Sequence, residues 1–232
     1  MIDTISNRFM NKYIEQIKIS WSLALHNKLS RKNLIWGSLA LVFLAVFTYY
    51  FFDYIENRLG GVVMNDWILQ MLPAKDVSGI IVFFEMSVIS LFIIRCATNP
   101  AMVITFLIAY IFVLVTRSVT IGITQLRPPI GLIELKDPIA GLIYRSKLSN
   151  RDLFYSGHTS LLFLFYLCSG KKADRYYMLF AAISVGVLLL IQHVHYTVDV
   201  VCAPFFTYGC FWLSKKIPHY SPAKTLDNVG MM

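Results

Sequence analysis

Charge is what this chain has least of. Asp, Glu, Lys and Arg together make up 15% of its 232 residues. A soluble domain of this length needs a larger polar surface to cover its core, so a water-soluble globular class is disfavoured from the start. Cysteine is also sparse. The four cysteines, Cys96, Cys168, Cys202 and Cys210, lie in or beside apolar runs and include no CxxC pair. That spacing argues against a disulfide framework or a thiolate metal site. No short basic leader followed by an apolar core opens the chain, so no cleavable signal peptide is expected.

What is present in excess is apolar. Hydrophobic residues make up 57% of the chain and its mean hydropathy is +0.62, which points to an integral membrane protein. The net charge of +8 does not argue for nucleic acid, because the basic residues sit in short clusters between apolar runs, as membrane topology requires.

In residues 1–30, Ile5, Phe9, Tyr13, Ile17, Trp21 and Leu25 recur at helical spacing, with Arg8, Lys12 and Lys18 on another side. This predicts an amphipathic basic helix, lying either in the headgroup layer or on the protein's own cytosolic face. Six apolar segments follow, at about 34–52, 79–95, 101–122, 156–170, 176–194 and 196–214. The expected architecture is all-α: a lead (1–33), a six-span membrane domain (34–214) and a tail (215–232). The fourth and sixth spans are short for a bilayer that needs about 20 residues. Basic clusters at Lys28, Arg31 and Lys32, at Lys171, Lys172 and Arg175, and at Lys215, Lys216 and Lys224 predict cytosolic termini. The loops 123–155 and 193–196 then face the periplasmic, lumenal or exoplasmic side.

Those two loops carry the chemistry. His195 and Asp199 are four apart at a helix start and share a face. Asp199 can hold one ring nitrogen of His195 and leave the other as a nucleophile. Ser156 is a natural N-cap, Gly157 admits a close neighbour, and amides at such an end suit a phosphate oxygen. His158, in the first turn, can protonate a leaving oxygen. The competing readings are a helix-gluing polar pair and an ordinary Ser-Gly cap. Ionisable groups at membrane depth are costly, and the combination favours function. Phosphoryl transfer through a phosphohistidine fits, with no metal or cofactor required. A zinc site from His158, His193 and His195 has the residue types but no ligand spacing. Glu85 and Arg117, charged within apolar runs, are open to three readings: an interhelical ion pair, a contact near the substrate phosphate, or a transport pathway. His193 is read as an interfacial neighbour of the site.

Asp152-Leu-Phe-Tyr-Ser156-Gly157-His158-Thr159 followed by His195-Tyr-Thr-Val-Asp199 resembles the sphingomyelin synthase family, a branch of the type-2 phosphatidic acid phosphatase superfamily. Arg117, Thr120, Thr124 and Leu126 are similar to that family's motif after the third span, and Thr207, Phe211 and Trp212 fall at familiar offsets. The resemblance implies a six-helix bundle and a transferase. It would move a phosphorylated head group from a membrane phospholipid to ceramide or another lipid acceptor and release diacylglycerol. His195 would be the nucleophile, Asp199 its partner and His158 the acid–base. Ser156, Gly157, Arg117, Arg127 and Asp152 are the candidate phosphate-binding set.

The sequence departs from the pattern at Asn150-Arg151, where the family has Cys-Gly, and at Arg127, inserted before Pro128. The rival is a lipid phosphate phosphatase. Phosphatases of the superfamily carry a lysine where this chain has Thr120 and an arginine where it has Leu189. A monoester brings nearly two negative charges and needs more cationic clamps than a diester. Losing two cations favours the diester, unless Arg127, Arg145 or Arg151 substitutes. A phospholipase C-type hydrolase differs only in using water as acceptor. The pattern does not set the oligomeric state, and a homo-oligomer is open.

Overall fold

The computed structural model describes residues 2–136 and 150–218, with side chains from residue 10 onward. Arg145 and Lys224, named above, lie outside the described residues. The described chain is helical, with elements α1 (Ile2–His26), α2 (Lys28–Asn57), α3 (Trp67–Gln70), α4 (Ser78–Thr98), α5 (Pro100–Ile123), α6 (Gly157–Cys168), α7 (Lys172–Ile191) and α8 (Thr197–Lys216).

Five of these, α2, α4, α5, α7 and α8, are long and apolar enough to cross a membrane. The fourth expected span is α6, which has 12 residues. At 1.5 Å per residue it is about 18 Å long, against a hydrocarbon core of about 30 Å. The six expected apolar segments are thus five helices long enough to span and one short apolar helix, the fourth, as its length in the sequence suggests. The other span expected to be short, α8, has 20 residues. The multi-pass helical bundle stands.

The inner faces follow from spacing. In α2 the buried positions are Ser30, Gly37, Leu44, Thr48 and Ile55, a seven-residue rhythm that suits a shallow left-handed crossing. A Cβ at Gly37 would come within 2.6 Å of Leu107, so the glycine lets α2 lie against α5. The opposite face of α2, with Trp36, Val42, Phe43 and Tyr50, is exposed, as a lipid-facing surface requires. Helix α2 also runs unbroken through residues 33 and 34, where composition placed the edge of the membrane domain. In α4 the buried positions Ser78, Ile81, Glu85, Val88 and Phe92 step by three and four, so Glu85 points inward on the core-facing stripe. Phe92, Phe106 and Phe165 join α4, α5 and α6, with ring centroids 4.3–5.1 Å apart.

Helix α1 packs on the bundle. Tyr13 donates to the Ile94 carbonyl (3.2 Å) and Trp21 to the Ala97 carbonyl (2.8 Å), both at the end of α4. Asn33 donates to the Pro218 carbonyl at 3.0 Å, so the N-terminal lead and the end of α8 share one face of the bundle. The loops 58–77, 124–136 and 150–156 gather at the other. Val62 N donates to Gln125 O (2.9 Å) and Arg127 N to Val62 O (3.0 Å). Gln192, fully buried, is the hub of this end. Its side chain accepts from Val77 N and donates to Ser78 Oγ and to the carbonyls of Ile133 and Glu134.

Candidate active site

The two motifs meet through the backbone. Ser156 N donates to Asp199 O at 3.0 Å, which seats the first turn of α6 against the first turn of α8. Ser156 caps α6: its Oγ accepts from Thr159 N at 3.4 Å and its carbonyl from Ser160 N at 3.1 Å. Across the interface, a Cβ at Gly186 of α7 would lie 2.8 Å from Val200 and 3.7 Å from Thr159 Oγ1. This glycine lets three helices converge below the motifs.

His195 and Asp199 stand at the start of α8. His195 Nδ1 lies 3.3 Å from Asp199 Oδ2, and the same oxygen accepts from Tyr196 N at 3.0 Å. Asp199 is fully buried and His195 nearly so. Asp199 Oδ1 has no hydrogen-bond partner. A buried carboxylate oxygen left unsatisfied is expensive, and such groups concentrate at working sites. The arrangement orients one ring nitrogen toward the carboxylate and frees the other.

His158, half-buried at the start of α6, faces α4. Its Nε2 lies 3.8 Å from Glu85 Oε1, and the Glu85 side chain is 8% exposed. That is longer than a direct hydrogen bond and suits a contact that tightens on binding. Glu85 therefore occupies a place beside the candidate acid–base. The sequence signal was its charge on an apolar stripe; which histidine it faces required the packing of α4 on α6.

Arg117 is paired with Asp152. One terminal nitrogen reaches both Asp152 oxygens, at 2.6 and 2.7 Å, and the other donates to the Tyr155 carbonyl. The guanidinium also packs on the α6 terminus, 2.9 Å from where a Cβ at Gly157 would be. So the close neighbour that Gly157 admits is Arg117. Both oxygens of Asp152 are engaged with Arg117, so this residue is placed as a brace of the 152–157 segment. Thr120, in the position of the superfamily's lysine, donates to the Phe154 carbonyl at 3.2 Å, while Leu189 is fully buried.

Arg127 sits on the rim, with Nε 3.4 Å from the Gly60 carbonyl. Arg151 reaches the same carbonyl at 3.4 Å and also donates to Arg58 O. His193 is a buried tie: its ring nitrogens face the Ile130 and Leu72 carbonyls, both at 2.9 Å. Among the described residues no group of three His, Cys, Asp or Glu side chains gathers as a metal site would require. Two residues of this end were not singled out from sequence. Gln192 is the hub described above. Asp66 caps α3 through Leu69 N (3.1 Å) and braces the start of α8 through Thr197 N (2.6 Å) and Thr197 Oγ1 (3.0 Å). Asp66 directly before an apolar Trp-Ile-Leu run was a readable N-cap signal; its reach to α8 was not.

Residues 151–216 match the family model described as PAP2 superfamily, C-terminal. This stretch begins beside Asp152 and runs to the end of α8, so it contains both histidine motifs. The match supports the type-2 phosphatidic acid phosphatase superfamily without selecting a branch of it. No curated protein and no solved structure matches the chain significantly.

Proposed function

We propose, from the superfamily similarity of residues 151–216, that this multi-pass membrane protein is a lipid phosphotransferase. Similarity to that superfamily fits lipid phosphatase or phosphotransferase chemistry; the finer reading is a head-group transferase of the sphingomyelin synthase type. The observation that carries it is the joining of the two motifs by Ser156 N and Asp199 O at 3.0 Å, with His195 and Asp199 paired inside.

In this reading His195 Nε2 attacks the phosphorus of a phosphodiester lipid. The bond from phosphorus to the diacylglycerol oxygen breaks, and His158 gives that oxygen a proton. Asp199 stabilises the imidazolium character that develops on His195. Arg117, packed against the α6 terminus at Gly157, and the first turn of α6 are assigned here to meet charge on the phosphoryl oxygens. In the second half His158 takes a proton from the acceptor hydroxyl, ceramide in the transferase reading. The acceptor oxygen bonds to phosphorus and the phosphorus–nitrogen bond breaks. Glu85, 3.8 Å from His158, supports the protonated form that His158 takes before the first half and regains in the second. The orientation follows the basic residues: Lys28, Arg31, Lys32, Lys171, Lys172, Lys215 and Lys216 crowd the end opposite the site, which makes that end cytosolic.

A second reading has its own observation. Arg127 and Arg151 converge on the Gly60 carbonyl, next to Arg58, which donates to Gly122 O and Thr124 O. Cations gathered there would serve a phosphomonoester and replace the clamps missing at Thr120 and Leu189. The test offers purified protein mixed phospholipids with labelled ceramide, and phosphatidic acid in parallel. Labelled ceramide entering a phospholipid with release of diacylglycerol supports the transferase. Phosphate released from phosphatidic acid, with ceramide untouched, replaces it by the phosphatase.

A further inference from the structure

Helix α1 presents three different sides. One stripe, Ile17, Ser20, Trp21 and Ala24, is buried or half-buried against the bundle. A second stripe, Asn11, Glu15, Lys18, Ser22 and His26, is polar and exposed. Its positions step by three and four, so they form one face, opposite the first. The flank between the two is apolar. Met10, Ile14 and Leu25 fall on it and are 57%, 41% and 46% exposed. An exposed apolar flank of this kind on a helix needs a cover.

The depth of α1 says what that cover is. Tyr13 and Trp21 donate to the Ile94 and Ala97 carbonyls near the end of α4. Ala24, fully buried, belongs to one cluster with Ile104 and Ile108 of α5. Those two residues follow the start of α5 at Pro100 by about 6 and 12 Å along the helix axis. Both α4 and α5 are long and apolar enough to cross a membrane. So α1 lies across their ends, at the level where head groups give way to acyl chains, and its Tyr13 and Trp21 are side chains suited to that level. After Asn27 the chain turns into α2, and Leu29, Ile35, Trp36 and Leu39 are exposed along it. The apolar flank of α1 is thereby followed by the lipid-facing surface of α2.

Charge narrows the partner further. Residues 10–32 hold Lys12, Lys18, Lys28, Arg31 and Lys32, all exposed, against the single carboxylate of Glu15. A second copy of the chain would bring the same positive charge to this surface and be repelled. A leaflet containing acidic phospholipid is complementary to it, and each basic residue near such a surface adds attraction. Apolar burial beside a row of cations is the combination that holds a helix in the head-group layer.

We propose that α1 and the first turn of α2 dock on an acidic leaflet at the end of the bundle opposite the histidine motifs. Met10, Ile14 and Leu25 enter the acyl boundary, and the five basic residues meet lipid phosphates of net negative charge. The partner is thus a lipid surface remote from the reaction centre, and the inference does not depend on the phosphotransfer reading. In the orientation proposed above this leaflet is the cytosolic one.

The test uses the full chain reconstituted in vesicles of phosphatidylcholine alone, or of phosphatidylcholine with phosphatidylglycerol as the minor component. Hydrogen exchange is followed in the α1 amides. They should exchange about fivefold more slowly in the acidic vesicles, and added salt should remove the difference. The double variant Lys12→Gln, Lys18→Gln should lose most of the difference while exchanging as the wild type does in neutral vesicles, because the Tyr13, Trp21 and Ala24 contacts remain. A purely structural loss would instead speed exchange in both compositions. In the acidic vesicles, a phospholipid with a photoreactive group near the glycerol end of one chain should label Met10, Ile14 or Leu25 and spare Asn11 and Ser22. Equal α1 exchange in the two compositions overturns the inference, as does equal labelling of the flank and the polar stripe. A cross-link from Met10 or Ile14 to a second copy, in place of lipid adducts, overturns it in favour of a contact between copies.

Discussion

Replacing Gly157 by alanine tests the geometry at the junction of the motifs. An added Cβ would meet Arg117 Cζ at 2.9 Å and its two terminal nitrogens at 3.0 Å, closer than ordinary contact by several tenths of an ångström. The guanidinium has little room to retreat. It is held by Asp152 at 2.6 and 2.7 Å and by the Tyr155 carbonyl, and its side chain is 8% exposed. Overpacking of this kind costs about 1–3 kcal/mol. Disrupting a buried ion pair costs about 3–5 kcal/mol, reduced here because Asp152 is partly exposed. Alanine recovers at most about 1 kcal/mol of helix propensity. The net expectation is a loss of about 1–3 kcal/mol, or roughly 3–10 °C in Tm for a chain of this size. Thermal unfolding in detergent measures it, and activity should fall with it because the 152–157 segment moves. The cycle partner is Arg117→Met, which removes the clashing group. In that background Gly157→Ala should be close to neutral. An equal loss of Tm in both backgrounds would refute the reasoning, since the clash would then not be with Arg117.

Other consequences follow from the same geometry. Asp199→Asn keeps the Asp199 shape but offers His195 Nδ1 an amide, which favours the wrong tautomer; kcat should fall by about 10³–10⁴ with Tm nearly unchanged, and a fall under tenfold would remove Asp199 from its role. Glu85→Gln should lower kcat by about 10–100-fold with little effect on KM, because it acts through proton transfer at His158; an effect on KM alone would make Glu85 a substrate contact instead. The Lys136 ammonium, then the Ser78 hydroxyl and amide, lower the Asp76 carboxyl to about 2, so the stabilisation from this depressed group is complete above its ordinary value near 3.8 and lost as pH falls toward 2. Hydrogen exchange in residues 130–136 should therefore be flat from neutral pH down to about 4, after correction for intrinsic rates, and rise below it; a rise already between pH 7 and 5 would contradict the assignment.

Much of this architecture was legible because helices repeat. The spacing of His195 and Asp199 put them on one face, and they are paired at 3.3 Å. The inward stripe of α4 carried Glu85 with it, but only packing revealed that it faces His158. The shortness of the fourth apolar segment was visible, yet its end at Cys168 was not, since Ser169 and Gly170 continue a composition that a membrane helix tolerates. The loops were least legible. Gln192 and His193 organise them through backbone carbonyls of Leu72, Ile130, Ile133 and Glu134, and carbonyls are the same in every residue. Arg117 drew attention by its charge, but Asp152, 35 residues away, could be matched to it only in three dimensions.

The most direct measurement of the central claim is to trap the enzyme during turnover. Purified protein is mixed with donor phospholipid without acceptor, quenched at alkaline pH within one turnover, digested and read by mass spectrometry. The account predicts a phospho-head-group adduct on His195, formed with one equivalent of diacylglycerol and consumed when a hydroxyl acceptor is added. His195→Ala protein should form none, and His158→Ala protein should form it slowly. An adduct on His158, or transfer that proceeds with no adduct on either histidine, would contradict the account.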